Sequence, residues 1–277
     1  RFQRALLPYD VVGGTQGKRH IPITVAMTAG KLLGLDAVQL NHAIGIAWYF
    51  QPQPSEFNWR NLWWKRLGNP HIGFCHLGIQ AALLAQKGFE GPIDIIDKEV
   101  FYDLDRLTYS PSPYHYPANE LHMKPYMTSR PNHPGIQAAL EIVTDEGLDP
   151  AEIEEVIYRG PELTSIYPFD NPEPTEYWDA IYSVQWAFAA ALLGYQPGRD
   201  WYSSQRLQDT SLRAIARRVR TEVSSAVADV DPAGTTNVGE RPVNEVEIRA
   251  RGKSFSRWKT GDQTLGSPTT PMSKEQL

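Results

Sequence analysis

The sequence predicts a mainly α fold joined to α+β: an all-helical domain first, then an α+β domain. Three observations carry that reading. Apolar residues recur at helical spacing through residues 21–50 and 72–87. Residues 110–117 hold three prolines in eight positions, a composition that neither a helix interior nor a central strand accommodates. Beyond that break, residues 217–223, 243–250 and 254–259 alternate apolar and polar side chains with the period of half-buried strands. The expected division is therefore 1–117 for the helical domain and 118–277 for the α+β domain.

Each element has a local cause. Ile23, Met27 and Gly30 share one face of the first helix, which closes at Gly34. Asp36 then suits an N-cap, because its carboxylate accepts the free N–H groups of the next turn. Val38, Leu40, Ala43, Ile44 and Ala47 continue at helical spacing. A proline-containing break covers 51–58, and Leu77, Ala81, Leu84 and Ala85 mark a helix over 72–87. Gly88 and the pair Gly91–Pro92 end it. In the second domain Asn132 is expected to cap a helix over 134–144 that Gly147 terminates. Residues 153–158 read as a strand, and 176–193 as one helix with Ala180, Val184, Ala187, Ala191 and Leu192 inward. Arg251, Gly252 and Lys253 suit the turn of a hairpin between the last two strands.

Composition removes several classes of function. The chain has 277 residues and a formal net charge of -5, which argues against a nucleic-acid partner. Its most apolar stretch, 180–193, is too short to span a bilayer. One cysteine, Cys75, excludes an intrachain disulfide framework and a cysteine-rich zinc site. It fits a reducing compartment, the cytoplasm or, in a eukaryote, the mitochondrial matrix. The N-terminus lacks an initiator methionine and a signal-peptide pattern, and it reads as a cut or processed end. The 22 prolines, about 8% of the chain against a typical ~5%, predict many irregular connections.

The sequence lacks a P-loop, a G-x-G-x-x-G turn, a G-x-S-x-G elbow and an H-E-x-x-H helix. His71 and His76 lie five apart, about 140° from each other around a helix, which makes them poor joint metal ligands. Cys75 sits in an apolar run and reads as small core filler. What stands out is three cationic clusters at loop–helix junctions. They are Lys18–Arg19–His20, Lys65–Arg66 after two tryptophans, and His122, Lys124, Arg130 and His133 around Tyr126. Helix N-termini add partial positive charge, so a convergence of these clusters suits a small polycarboxylate. Dispersed, the same residues would only solvate the surface.

A family resemblance brings them together. Residues 20–36 (HIPITVAMTAGKLLGLD) and 39–47 (QLNHAIGIA) closely resemble the MmgE/PrpD family, which includes 2-methylcitrate dehydratase, cis-aconitate decarboxylase and an iminodisuccinate epimerase. The likeness continues through 78–92, 124–140 (KPYMTSRPNHPGIQAAL), 182–193 and 266–277, in order along nearly the whole chain.

The resemblance implies a helical domain with an α+β lid, an active site in the cleft between them, no cofactor or metal, and a homodimer. It places the family's first-segment histidine at His20, the lysine of its W-K junction at Lys65 and its lid lysine at Lys124. These are the expected catalytic residues, with Arg19, Tyr126, Ser129, Arg130, His133 and Trp186 expected to bind substrate. Two positions depart from the family pattern: Ser129 stands where many members have Cys or His, and Trp186 where a tyrosine is usual. The spacing from Lys65 to Gly78 is also about two residues longer than the family's. By the same resemblance, the family's earlier helices and its final helix fall outside this sequence. The implied reaction is dehydration of a 2-methylcitrate-like hydroxytricarboxylate. The alternatives are decarboxylation or epimerisation of a related acid, or a non-catalytic role beside a full-length relative.

Overall fold

A computed structural model describes residues 20–50, 71–96, 122–224 and 244–276. Chain contacts divide it into two compact units, Arg1–His115 and Tyr116–Leu277.

In the first unit, α1 (His20–Leu32), α2 (Ala37–Tyr49) and α3 (His71–Gln86) pack against one another in every pairing. Gly34 takes φ +74, the left-handed conformation that ends α1 without steric cost. Asp36 closes a capping box: its carboxylate accepts the Gln39 N–H at 2.8 Å, and the Gln39 side chain accepts the Asp36 N–H at 3.3 Å. Ile23, Ala26, Ala43, Ile44, Ile46, Ala47, Ala81 and Ala85 form the core. These small side chains let the helices approach closely. A Cβ at Gly78 would meet Pro22 O at 2.5 Å, and one at Gly45 would meet Pro92 O at 2.1 Å. The segment after α3 is fastened to α2, where Asn41 Nδ2 donates to Ile93 O at 3.0 Å. Cys75 is half-buried on α3, not enclosed in the core.

The second unit holds a four-stranded mixed sheet in the order β2-β1-β3-β4: β1 (Ile153–Gly160), β2 (Val219–Val223), β3 (Asn244–Ala250) and β4 (Lys253–Lys259). β1 and β2 run parallel, while the β1–β3 and β3–β4 pairs are antiparallel. Helix α4 (Asn132–Glu146) packs on β3 and β4. The chain's 176–193 segment is two helices, α5 (Tyr177–Tyr182) and α6 (Val184–Leu192), where one was expected. Ser183 makes the break: its hydroxyl accepts the Trp186 N–H at 3.0 Å and donates to Asn171 O at 2.7 Å. That local bonding outcompetes helix continuation. A further helix, α7 (Thr210–Ala216), is capped by Asp209 and runs almost directly into β2, so the expected strand from 217 begins two residues later. Asn132 is not the cap of α4 either. Pro131 holds that position, and Asn132 turns its amide to Thr128 Oγ1 at 3.1 Å. The β3–β4 turn has φ 55 at Arg251 and φ 67 at Gly252, the two-residue geometry that matches strand twist.

The sheet has two unlike faces. Val156, Tyr158, Val246 and Ile248 are fully buried and pair across β1 and β3. On the opposite face Glu155, Arg249, Glu247, Arg159, Glu222 and Arg220 close a ring of alternating charge. Its N···O separations run from 2.7 to 3.4 Å. Ile157, in register with Arg220 and Glu247, is fully buried beneath them.

Candidate functional site

The 122–131 segment of the second unit is an irregular loop, leading into α4, that tertiary contacts hold in place. Met123 N–H donates to Gly266 O at 2.7 Å. Gly266 has φ +86, and a Cβ there would lie 2.5 Å from Met123 O, so the approach needs glycine. Tyr202 OH donates to Met127 O. Thr128 Oγ1 donates to Ile181 O at 3.2 Å and accepts from Asn132. Beneath the loop the Tyr126 ring stacks on Trp201, with centroids 6.4 Å apart and planes 18° apart, and it tilts against His133 at 5.4 Å.

Residues 124–128, with Ile181 and Pro197, line a shallow recess of about 350 Å³, and among the described residues no carboxylate side chain lines it. Lys124 Nζ donates to Thr128 O at 3.2 Å. Among the described residues, no carboxylate lies within ion-pair range of Lys124. Burial of its ammonium, and then the nearby Arg130 guanidinium, hold its pKa below the usual lysine value. Partial burial also lowers the Arg130 pKa, opposed by the Asp262 carboxylate. Arg130 Nη2 contacts His122 Nδ1.

Three residues expected to bind substrate are buried. His133 is fully buried, and burial pushes its pKa down to about 3, so it is neutral and not a member of a cationic cluster. Tyr126 is 7% exposed, its hydroxyl lies 3.4 Å from Gln137 Oε1, and burial raises its pKa to about 12. Trp186 is enclosed, and its indole N–H donates to Trp201 O at 2.8 Å. The phenol that a tyrosine would offer is thus replaced by an internal bond that ties α6 to the Trp201 loop. Ser129 and Arg130 are half-buried. Of the residues expected from the first unit, Arg19 and Lys65 lie outside the described residues, and His20 is placed only as the first residue of α1.

Tyr202, Thr128, Asn132, Trp201 and Gly266 hold this loop, and sequence reading did not single them out for it. Their signal is weak because each acts from a loop or short helical turn with no periodicity. Among the described residues, no three or more His, Cys, Asp or Glu side chains cluster as a metal would require. No helix there is long and apolar enough to cross a membrane.

The family comparison matches both units. A model of the MmgE/PrpD N-terminal domain matches residues 12–104, and one of the MmgE/PrpD C-terminal domain matches 126–277. The chain belongs to the MmgE/PrpD family. Activities of the MmgE/PrpD family are generally of lyase, dehydratase-like type. His20 and Lys65 fall within the N-terminal match, while Lys124 lies two residues before the C-terminal one. Comparison with individually curated proteins gives no match.

Proposed function

We propose that this chain is the dehydratase component of a MmgE/PrpD lyase, eliminating water from a 2-methylcitrate-like hydroxytricarboxylate, with its α+β unit acting as a lid over the helical unit. The supporting observation is the recess edged by Lys124, with Arg130 close by and no carboxylate in its lining. Such a place favours a polyanion.

The chemistry follows from that charge. A base removes a proton from the carbon beside a substrate carboxylate, and negative charge accumulates on the carboxylate oxygens. The C–O bond to the hydroxyl then breaks, and the hydroxyl leaves with a proton as water. Lys124 stabilises the developing charge by preorganised electrostatics, joined by Lys65 from the first unit. His20 carries the proton, because an imidazole titrates near working pH. Arg130 holds a remote carboxylate through two parallel N–H···O bonds. Arg19 and Ser129 complete the binding set, and the working unit is a homodimer in the cytoplasm.

NMR analysis of product from 2-methylcitrate tests this reading. An alkene product is expected, and its absence with the full chain overturns the dehydratase assignment. Loss of CO2, or inversion without an alkene, would assign the same carbanion to a decarboxylase or an epimerase. A second reading is a non-catalytic subunit beside a full-length relative. It draws on Ser129 and on the exposure of Ile79 and Leu83, one turn apart on α3.

A further inference from the structure

Thr128 O receives two side-chain donors. Lys124 Nζ lies 3.2 Å from it, and His133 Nε2 lies 3.4 Å from it. We propose that His133 is a positioning residue, whose neutral buried imidazole donates its Nε2–H to the Thr128 carbonyl and so sets how that oxygen holds the Lys124 ammonium. The inference rests on the reading of Lys124 as the charge-stabilising group.

The geometry fixes the direction of the His133 bond. A carbonyl oxygen only accepts, so the proton must sit on Nε2, and Nδ1 must carry a bare lone pair. Nδ1 is buried and, among the described residues, has no hydrogen-bond partner. An unpaired acceptor of this kind is tolerated more readily than an orphaned N–H, which supports the same tautomer. The ring cannot turn away, because it is fully buried against Tyr126, itself stacked on Trp201. Its charged neighbours are both cations, Lys124 and Arg130, so protonation of the ring is opposed from that side.

The loop's other bonds do not set this oxygen. Ile181 and Asn132 bind the Thr128 hydroxyl, and Tyr202 binds the preceding carbonyl. Among the described residues, His133 alone shares the acceptor with the lysine. Competition for one carbonyl keeps the Lys124 bond loose and leaves the ammonium available to a carboxylate at the recess. Without the imidazole donor, Thr128 O turns wholly to Lys124, and the ammonium is stabilised and drawn into the turn.

Two measurements on the full chain test this without substrate. A long-range 1H–15N spectrum of the wild-type protein is expected to show His133 neutral at pH 5 as the Nε2–H tautomer. An Nδ1–H tautomer or an imidazolium overturns the proposal. In parallel, mass spectrometry reads the acetylation rate of Lys124 at fixed pH. His133→Leu should lower it about threefold to tenfold, the effect of up to one pKa unit on the free amine. His133→Gln, which keeps a donor at that reach, should restore it. Equal rates in all three folded proteins overturn the proposal, and if His133→Leu does not fold, the tautomer measurement decides. Because neither readout needs turnover, failure to dehydrate a tricarboxylate sinks only the functional reading, while the wrong tautomer in an active protein sinks only this one.

Discussion

Two of the arginine-containing clusters of the α+β unit make opposite use of charge. On the open face of the sheet, Arg159 meets Glu222, Glu245 and Glu247 at 2.9, 3.6 and 3.0 Å, within a ring whose charges alternate. At the 122–131 loop, Lys124 has a backbone carbonyl and a neighbouring arginine where Arg159 has three carboxylates. The ring is electrostatically complete and shields Ile157. The loop keeps Lys124 beside a second cation, Arg130, on which the Asp262 carboxylate acts. Completed charge networks belong to the fold, and under the proposed function the lysine without a carboxylate partner is where the substrate supplies the missing charge.

The largest expected effect strikes the uncompensated side. Lys124→Ala should lower dehydratase turnover by about 10²–10³, the scale for loss of one preorganised charge-stabilising donor. Its thermal unfolding midpoint should not fall, since no carboxylate among the described residues loses a partner. A steady-state assay beside a melting curve checks both halves. A coincident fall in stability would place Lys124 with the structural ring and dissolve the contrast.

An internal polar bond should cost less in activity and more in stability. Tyr158 OH donates to Pro131 O at 2.7 Å from complete burial, joining β1 to the start of α4. Tyr158→Phe leaves that carbonyl unpaired and should destabilise the unit by about 1–3 kcal/mol in urea titration. Unchanged stability would show that the loop's anchor to the sheet is dispensable.

Acid should expose the buried histidine. The folded-state pKa of His133 is pushed down to about 3, against 6.5 for the ordinary group. Below about pH 6.5 the unfolded chain binds a proton that the folded chain refuses. This contribution to stability is therefore complete above pH 6.5 and is lost progressively toward pH 3. The slope approaches about 1.4 kcal/mol per pH unit in mid-window. Urea midpoints between pH 7 and 5 should fall in the wild type and fall less in His133→Gln. Parallel pH profiles would refute a neutral His133.

The smallest effect belongs to the ring. Glu247→Gln removes one link shared by Arg159 and Arg249, and should cost about 1 kcal/mol or less, declining further in high salt. A larger, salt-insensitive loss would mean that the ring acts through packing on Ile157 instead of through charge.

Local signals were readable without coordinates. Asp36 and Gln39 lie three residues apart, and Gly34, Gly147 and the Arg251–Gly252 turn announce their own backbone conformations. Lys124 and Arg130 were visible as cations beside a proline-rich loop. The broken 176–193 helix was not readable, because Ser183 is an ordinary helix residue until Asn171 offers it an acceptor. The charge state of His133 is hidden in the sequence for a similar reason: it depends on what surrounds the ring, and Tyr126 and its Trp201 support are found only in the fold.

The sequence by itself determined the Asp36 cap, the glycine stops at Gly34 and Gly147, the hairpin and the family, because these depend on interactions within a few residues or on patterns spread along the chain. Only the tertiary structure decided which polar groups are completed and which are left wanting. That depends on desolvation and on partners far apart in the chain, such as Tyr202 to Met127 and Arg159 to Glu247. A lysine reads the same in any loop. Its pairing and burial decide whether it holds the fold together or waits for a carboxylate.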